Sequence, residues 1–531
     1  MQNSSARISD PVETGGRARG WWRGLAFLRK IVRELGEAFA LDLRSLALFR
    51  MGLGLLILVD VGIAITNVEA FYSDAGVLTR QVLKDRLWEN PAQWSLHALH
   101  GGVGFEKLLL TAQLLAGVGL VVGWRTRWMN FLCWVLACSL ETRNPLVSNG
   151  ADAVMRLLLF WSLFLPLGAW WSCDAKRRSR QGEESLPVRW VSFPAVCWVM
   201  QVGFIYVFSA VMKDRGAWFV EGTALQTALH LDLFALPVGV WLREHAELCR
   251  WLTRGTVSLE LVGPFLLLLT GRSPALRGIL CIAFIVLHLG IGLCMNIGAF
   301  PWMMIAAWLA LLPGSWWDRL RTGGKSNSYL LLSPAMRTPP VTVVFTSVCL
   351  GYVFLWNLRG TDFPRWEKFF PRSLNGMAFA LRLDQHWSMF APFPTREDGW
   401  FVLRAGLSDG SEVDLLRNGE VTDWSKPSRL SSTFKDARWQ KYLMNLWLQR
   451  YHEFRPAYGD WRVRHWNEEH GGLSQVVAWQ FYFIHEPTLE GGKTGPLQRV
   501  LLAQCEHVPA GGSVSVPSSF STSGQPSSLS P

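Results

Sequence analysis

The chain of 531 residues is half apolar, with 29 Trp and 30 Phe, and only 18% of it is charged, against roughly 25% in soluble domains. A mean hydropathy of +0.17 and repeated apolar runs near ~20 residues exclude a soluble or disordered class and indicate an integral membrane protein. The net charge of +11 collects between the apolar runs, which suits membrane orientation and argues against a nucleic-acid partner.

In chain order, the basic stretch from Arg17 to Arg33 is followed too distantly by an apolar run too long for a cleavable signal. Residues 1–44 read as a cytoplasmic segment with an interfacial helix around Trp21–Phe39. About nine spans follow by the ~20-residue criterion. They are Leu46–Thr66, Lys107–Gly123, Trp128–Glu141, Ala153–Trp171, Ser192–Met212, Thr253–Thr270, Leu276–Leu293, Ile297–Pro313 and Pro340–Trp356. The third is short enough to be re-entrant. The compact connections 124–128, 174–180, 270–277 and 317–325 are basic and fall on the side of the N-terminal segment, which the positive-inside rule makes cytoplasmic. The opposite, exported face takes 67–106, the turn 142–152, Lys213–Arg254 and everything beyond about Leu358.

Residues 359–508 differ in composition and read as an exported, β-rich α+β domain. "WFVLRAGLSDGSEVDLL" alternates around Asp-Gly as a hairpin does, 473–486 reads as a strand and 437–454 as a helix. From 509 the Ser/Pro/Gly-rich end reads as disordered. The expected fold is therefore an all-α integral membrane bundle over 45–358 with this domain attached, in a multi-pass inner membrane. Cys133, Cys138, Cys197, Cys281, Cys294 and Cys349 lie inside apolar runs as small hydrophobes, and no Cys/His spacing suggests a metal.

Charges within lipid cost about 2.5–3.5 kcal/mol at a helix centre, so each needs a reason. In the first span Arg50 and Asp60 lie about 80° apart around the axis and about 15 Å apart along it, and cannot pair. Arg50 can snorkel, whereas Asp60 either faces a polar cavity or finds another partner. Asp152 and Arg156 have the i,i+4 spacing of a helix ion pair, with Ser148, Asn149 and Gly150 placed to cap that helix or line a cavity mouth. Glu260 and His288 lie mid-span, where a hydrogen bond to a neighbouring helix and a functional role are both open. The break "NIGAFPW", containing Asn296, follows His288. Lys213 ends its span in "FIYVFSAVMKDRGAWFVEGTAL". It is either an interface lysine or an amine desolvated by Tyr206, Phe208 and Trp218, whose neutral form is a usable general base.

Six motifs in register carry a resemblance: "SLALFRMGLGLLILVD", "EAFYSDAGVL", "NPLVSNGADAVMRLLLFWSLFLPLG", "YVFSAVMKDRGAWFVEGTAL", "LHLGIGLCMNIGAFPW" and "QHWSMFAPFP". Across 45–394 the chain resembles the HTTM proteins, bacterial relatives of vitamin K-dependent γ-glutamyl carboxylase. The resemblance implies a membrane enzyme that oxygenates a reduced vitamin K or related quinone with O2. The oxygenation is coupled to proton abstraction and CO2 capture on an exported peptide or protein, with no metal. It implies Lys213 and His288 as catalytic residues. Asp60, Asn149, Asp152, Arg156, Tyr206, Trp218, Glu260 and Asn296 are the cavity and substrate-binding candidates. The carboxylase has a functional histidine after an asparagine in the turn matching "SNGAD", and this chain has none there. A quinone-linked oxidoreductase without carboxylation, and a non-enzymatic membrane protein that binds a lipid or partner during maturation, are the alternatives.

Overall fold

The computed structural model describes residues 36–183, 188–322, 338–361, 370–470, 474–489 and 492–506. The expected disordered tail, and all but the last residues of the expected interfacial helix, lie outside them. Asp42 starts the first helix, α1 (Leu43–Thr66), by accepting the amides of Arg44 and Ser45. Then come α2 (Val103–Val122), α3 (Thr126–Arg143), α4 (Gly150–Ser162), α5 (Phe193–Val211), α6 (Ala246–Leu267), α7 (Pro274–Cys294), α8 (Phe300–Leu309) and α9 (Pro340–Arg359).

Each stretch expected to span is thus largely helical, but they are not alike. Among the described residues, 6 helices are long and apolar enough to cross a membrane: α1, α2, α5, α6 with its following turn, α7 and α9. The chain is built as a multi-pass membrane protein. The other three fall short for local reasons. α3 carries Arg127, Asn130, Glu141 and Arg143, while α4 has 13 residues and α8 has 10. Helix contact relies on small residues, as is usual in membranes. A Cβ on Gly54 of α1 would lie 2.7 Å from Val121 of α2, and one on Gly117 would lie 2.9 Å from Leu58.

Polar contacts gather at two ends of the bundle. At one end, Arg44 pairs with Asp42 and Asp318, and Arg277 donates to the carbonyls of Ala38 and Leu311. The two-residue strands β1 (Leu41–Asp42) and β2 (Arg189–Trp190) also pair there. Arg50 does not snorkel. It is fully buried and donates to the carbonyls of Leu120, Val121 and Trp171, satisfying groups that the end of α2 leaves open. At the other end sits the C-terminal region.

That region holds an antiparallel sheet in the order β4-β3-β5-β6, from β3 (Glu397–Leu407), β4 (Glu412–Asp414), β5 (Val476–Pro487) and β6 (Gln498–Cys505). The β3–β4 hairpin turns at Asp409–Gly410, where Gly410 has a φ of +85° that favours glycine. Helices α10 (Ala437–Trp447) and α11 (Arg455–Glu469) accompany the sheet. The helix expected over 437–454 stops early because Leu448 takes extended backbone. Arg455 closes that end by donating to the carbonyls of Leu446 and Trp447. All nine cysteines are free thiols.

Candidate functional site

Lys213 follows the last turn of α5 and folds back towards it. Its Nζ lies 3.2 Å from Ser209 Oγ, forms a salt bridge with Glu260 of α6, and sits 4.4 Å from the centre of the Trp218 ring. An interface lysine keeps its ammonium in water, yet this side chain is only 3% exposed. Trp218 rides on the turn Gly216–Val220, which Asp214 braces by accepting the Ala217 amide. Glu260 stands one turn before Pro264, which has no amide to offer the Glu260 carbonyl and so weakens the helix beside the pair.

A second chain of contacts reaches the same cavity from α7 and α8. Trp308 Nε1 donates to Tyr206 Oη at 2.7 Å, and Tyr206 Oη lies 2.7 Å from His288 Nε2. An indole nitrogen only donates, so the tyrosine accepts from Trp308, and in the tautomer that also uses its own hydrogen it donates to Nε2. The imidazole proton then belongs on Nδ1, which is buried without a protein partner, as is Trp218 Nε1. Lys213, Glu260, Trp218, Tyr206 and His288, though not Trp308, line a cavity of about 100 Å³ walled by Ile205, Leu225, Ile291 and Met295 and by the rings of Phe300 and Phe390. The site therefore offers a Lys–Glu salt bridge and two ring nitrogens without a protein partner inside largely apolar, aromatic walls.

The HTTM domain family model matches residues 40–316 of the chain. The chain belongs to the HTTM domain family. The matched stretch contains α1 to α8 and every residue of the Lys213–Glu260 pair and the Trp308–Tyr206–His288 chain. No curated protein and no solved structure gave a significant match.

The remaining candidates of this HTTM protein stand apart from the cavity. Asp152 and Arg156 do not form the expected i,i+4 pair, because each finds a partner elsewhere. Asp152 completes a capping box by accepting the Asn149 amide at 2.8 Å, and its other oxygen lies 3.3 Å from Arg438 of α10. Asp60 meets the same guanidinium at 2.6 Å. Burial opposes the charge on Arg438, but Asp60 and Asp152 outweigh it and hold its pKa well above the ordinary arginine value. Arg156 pairs with Glu141 at 2.7 Å and Asp384 at 3.2 Å, and Arg382 also reaches Glu141.

Asn149 caps α4 behind the cavity wall. A Cβ on its neighbour Gly150 would lie 3.4 Å from Phe300 and from Met389, both of which line the cavity. Asn296 contributes only a backbone contact, its amide donating to the Phe234 carbonyl at 2.7 Å, while Met295 and Ile297 beside it line the cavity. Sequence reasoning missed Met389 and Phe390 as wall residues, although they sit in the "QHWSMFAPFP" motif. It also missed Arg438, for which no spacing gives a signal. Asp232, Asp398 and Glu486 cluster in the manner of metal ligands, but Lys426 pairs with both Asp232 and Glu486 and supplies the counter-charge itself.

Proposed function

We propose that this HTTM protein is a carboxylase-like membrane enzyme that couples oxygenation of a reduced vitamin K or related quinone by O2 to proton abstraction or carboxylation on an exported substrate. The observation that carries the reading is the Lys213–Glu260 pair facing two unpartnered donors, His288 Nδ1 and Trp218 Nε1, in an apolar cavity. This set fits a flat aromatic ring with an oxygen at each edge: aromatic side chains for its faces, donors for one oxygen and a base for the other. When bound, the reduced quinone supplies the reaction with O2 that drives substrate deprotonation.

The chain's own part is to hold the ring, exclude water and take a proton. Lys213 and Glu260 share one proton between amine and carboxylate. In the neutral arrangement Nζ has a free lone pair, and accepting a hydroxyl proton there leaves an ammonium beside a carboxylic acid. The pair thus provides a base without burying a lone charge at rest.

Orientation follows from the grouping of ends. The ends of α1, α3, α5, α7 and α9 lie with the starts of α2, α4, α6 and α8 if all nine helices traverse in turn. The C-terminal region contacts that face through Asn67, Asp152 and Asp232. With the basic end cytoplasmic, this grouping supports an inner-membrane orientation with an exported 359–508 domain and a cavity near the exported face.

The oxidoreductase reading without carboxylation keeps the quinone and drops CO2. It is favoured by Asn149 and Gly150, which build a helix cap where the carboxylase has a functional histidine. The deciding experiment incubates purified protein with reduced naphthoquinone, O2 and labelled CO2, comparing wild type with Lys213→Ala. Quinone epoxide from wild type alone supports the enzyme reading, and label in a glutamate peptide adds carboxylation. No epoxide from either protein, with quinone or lipid still bound, favours the non-enzymatic reading.

A further inference from the structure

Where the end of α1 and the start of α2 meet the C-terminal region, a second and larger cavity opens, of about 640 Å³. It is polar and cationic where the first is apolar. Lys107, Lys435 and Arg462 line it, with Glu69 the one acid among its lining residues, and Trp439 and Trp461 supply aromatic surface. Their donors are only partly used. Lys435 Nζ donates to the Thr66 carbonyl at 3.0 Å and to Asn67 Oδ1 at 2.9 Å, which leaves one of its three hydrogens. Arg462 spends one nitrogen on the Leu415 carbonyl, while its buried Nε has no partner. Among the described residues, the exposed Lys107 ammonium makes no ion pair.

What lies below the groove identifies the ligand. Lys107 heads a helical stripe on α2 in which Thr111, Leu115, Val118 and Val122 are all exposed. On α1, Leu55 and Val59 are exposed on the way to Thr66 at the groove. From Lys107 to Val118 the helix rises about 16 Å, close to half of the ~30 Å hydrocarbon core. The cations therefore stand at headgroup depth above one leaflet of aliphatic surface.

We propose that this groove binds an anionic phospholipid, its phosphate meeting Lys107, Lys435 and Arg462 and its acyl chains running down the exposed stripes of α1 and α2. A soluble phosphate or an acidic peptide makes no use of those stripes. The proposal is independent of any quinone chemistry.

The test is native mass spectrometry of the full chain in detergent, with phosphatidylglycerol and phosphatidylcholine of identical acyl chains. Wild type retains phosphatidylglycerol preferentially. Lys107→Glu, at an exposed side chain, weakens that retention by about fivefold or more, since fivefold is the scale of one charge at a membrane surface and the reversal changes the charge by two. Lys176→Glu, an exposed lysine near the opposite end of the bundle, leaves it unchanged. Equal retention of the two lipids overturns the proposal, as does an equal loss in both variants. Displacement of phosphatidylglycerol by equimolar glycerol phosphate or polyglutamate also overturns it, assigning the groove to a soluble anion or an acidic chain.

Discussion

Lys213 and Glu260 form a salt bridge inside a largely apolar cavity, so each side chain is the other's main compensation for burial. Removing one partner of such a pair costs about 3–5 kcal/mol, because the other is left buried and unpaired. Lys213→Ala is therefore expected to lower the thermal midpoint of the detergent-purified protein. The double variant Lys213→Met/Glu260→Leu should recover most of that loss while remaining unable to form quinone epoxide. A double variant no more stable than Lys213→Ala would show that the two side chains are not energetically coupled.

Tyr206→Phe removes the hydroxyl that joins Trp308 to His288. It leaves buried donors and acceptors unpaired at about 1–3 kcal/mol each, and frees the imidazole to carry its proton on either nitrogen. Turnover should fall more than quinone affinity, read as kcat against a directly measured Kd. A loss confined to affinity would mean that the tautomer has no part in the reaction.

Arg438→Met strands Asp60 and Asp152 beside each other without their cation. A destabilisation of about 3–5 kcal/mol is expected. Adding Asp60→Leu should restore only part of it, since Asp152 still caps α4 and still lacks a counter-charge. Thermal melts of the three proteins separate these terms.

Burial raises the Asp398 carboxyl to about 6 from its ordinary 3.8, against the amides of Asp232 and Gly399 and the charge of Lys426, which lower it. The folded state therefore holds this proton more tightly than the unfolded state does. Its contribution to stability is complete below about pH 4 and is lost as pH rises to about 6. Asp398→Asn should flatten that part of the curve of melting temperature against pH. An unchanged slope would exclude Asp398 as its source.

The sequence made the helices and the cavity legible to different degrees. The apolar runs located the helices because lipid demands them; run 128–141 is helical throughout, but runs 153–171 and 297–313 overstated what the chain winds into regular helix. Tyr206, Lys213, Trp218, Glu260 and His288 were all readable as candidates, although an interface lysine and structural hydrogen bonds were equally open from spacing, and all five face one cavity. The pairing of Lys213 with Glu260 was not readable, because 47 residues separate them and only packing brings them together. Asp60 announced that it needed a partner without saying which. That partner lies 378 residues further on, in a helix whose own composition gives no hint of it.

Asp152 uses one oxygen to start α4 and the other to hold Arg438. The cation that neutralises two acids of the helical bundle is therefore supplied from outside it. An excised bundle ending after α9 would carry Asp60 and Asp152 into the membrane unneutralised, so the C-terminal region acts as a structural subunit of the bundle supplied in cis. Fusions and truncations of this chain should keep α10 attached for that reason.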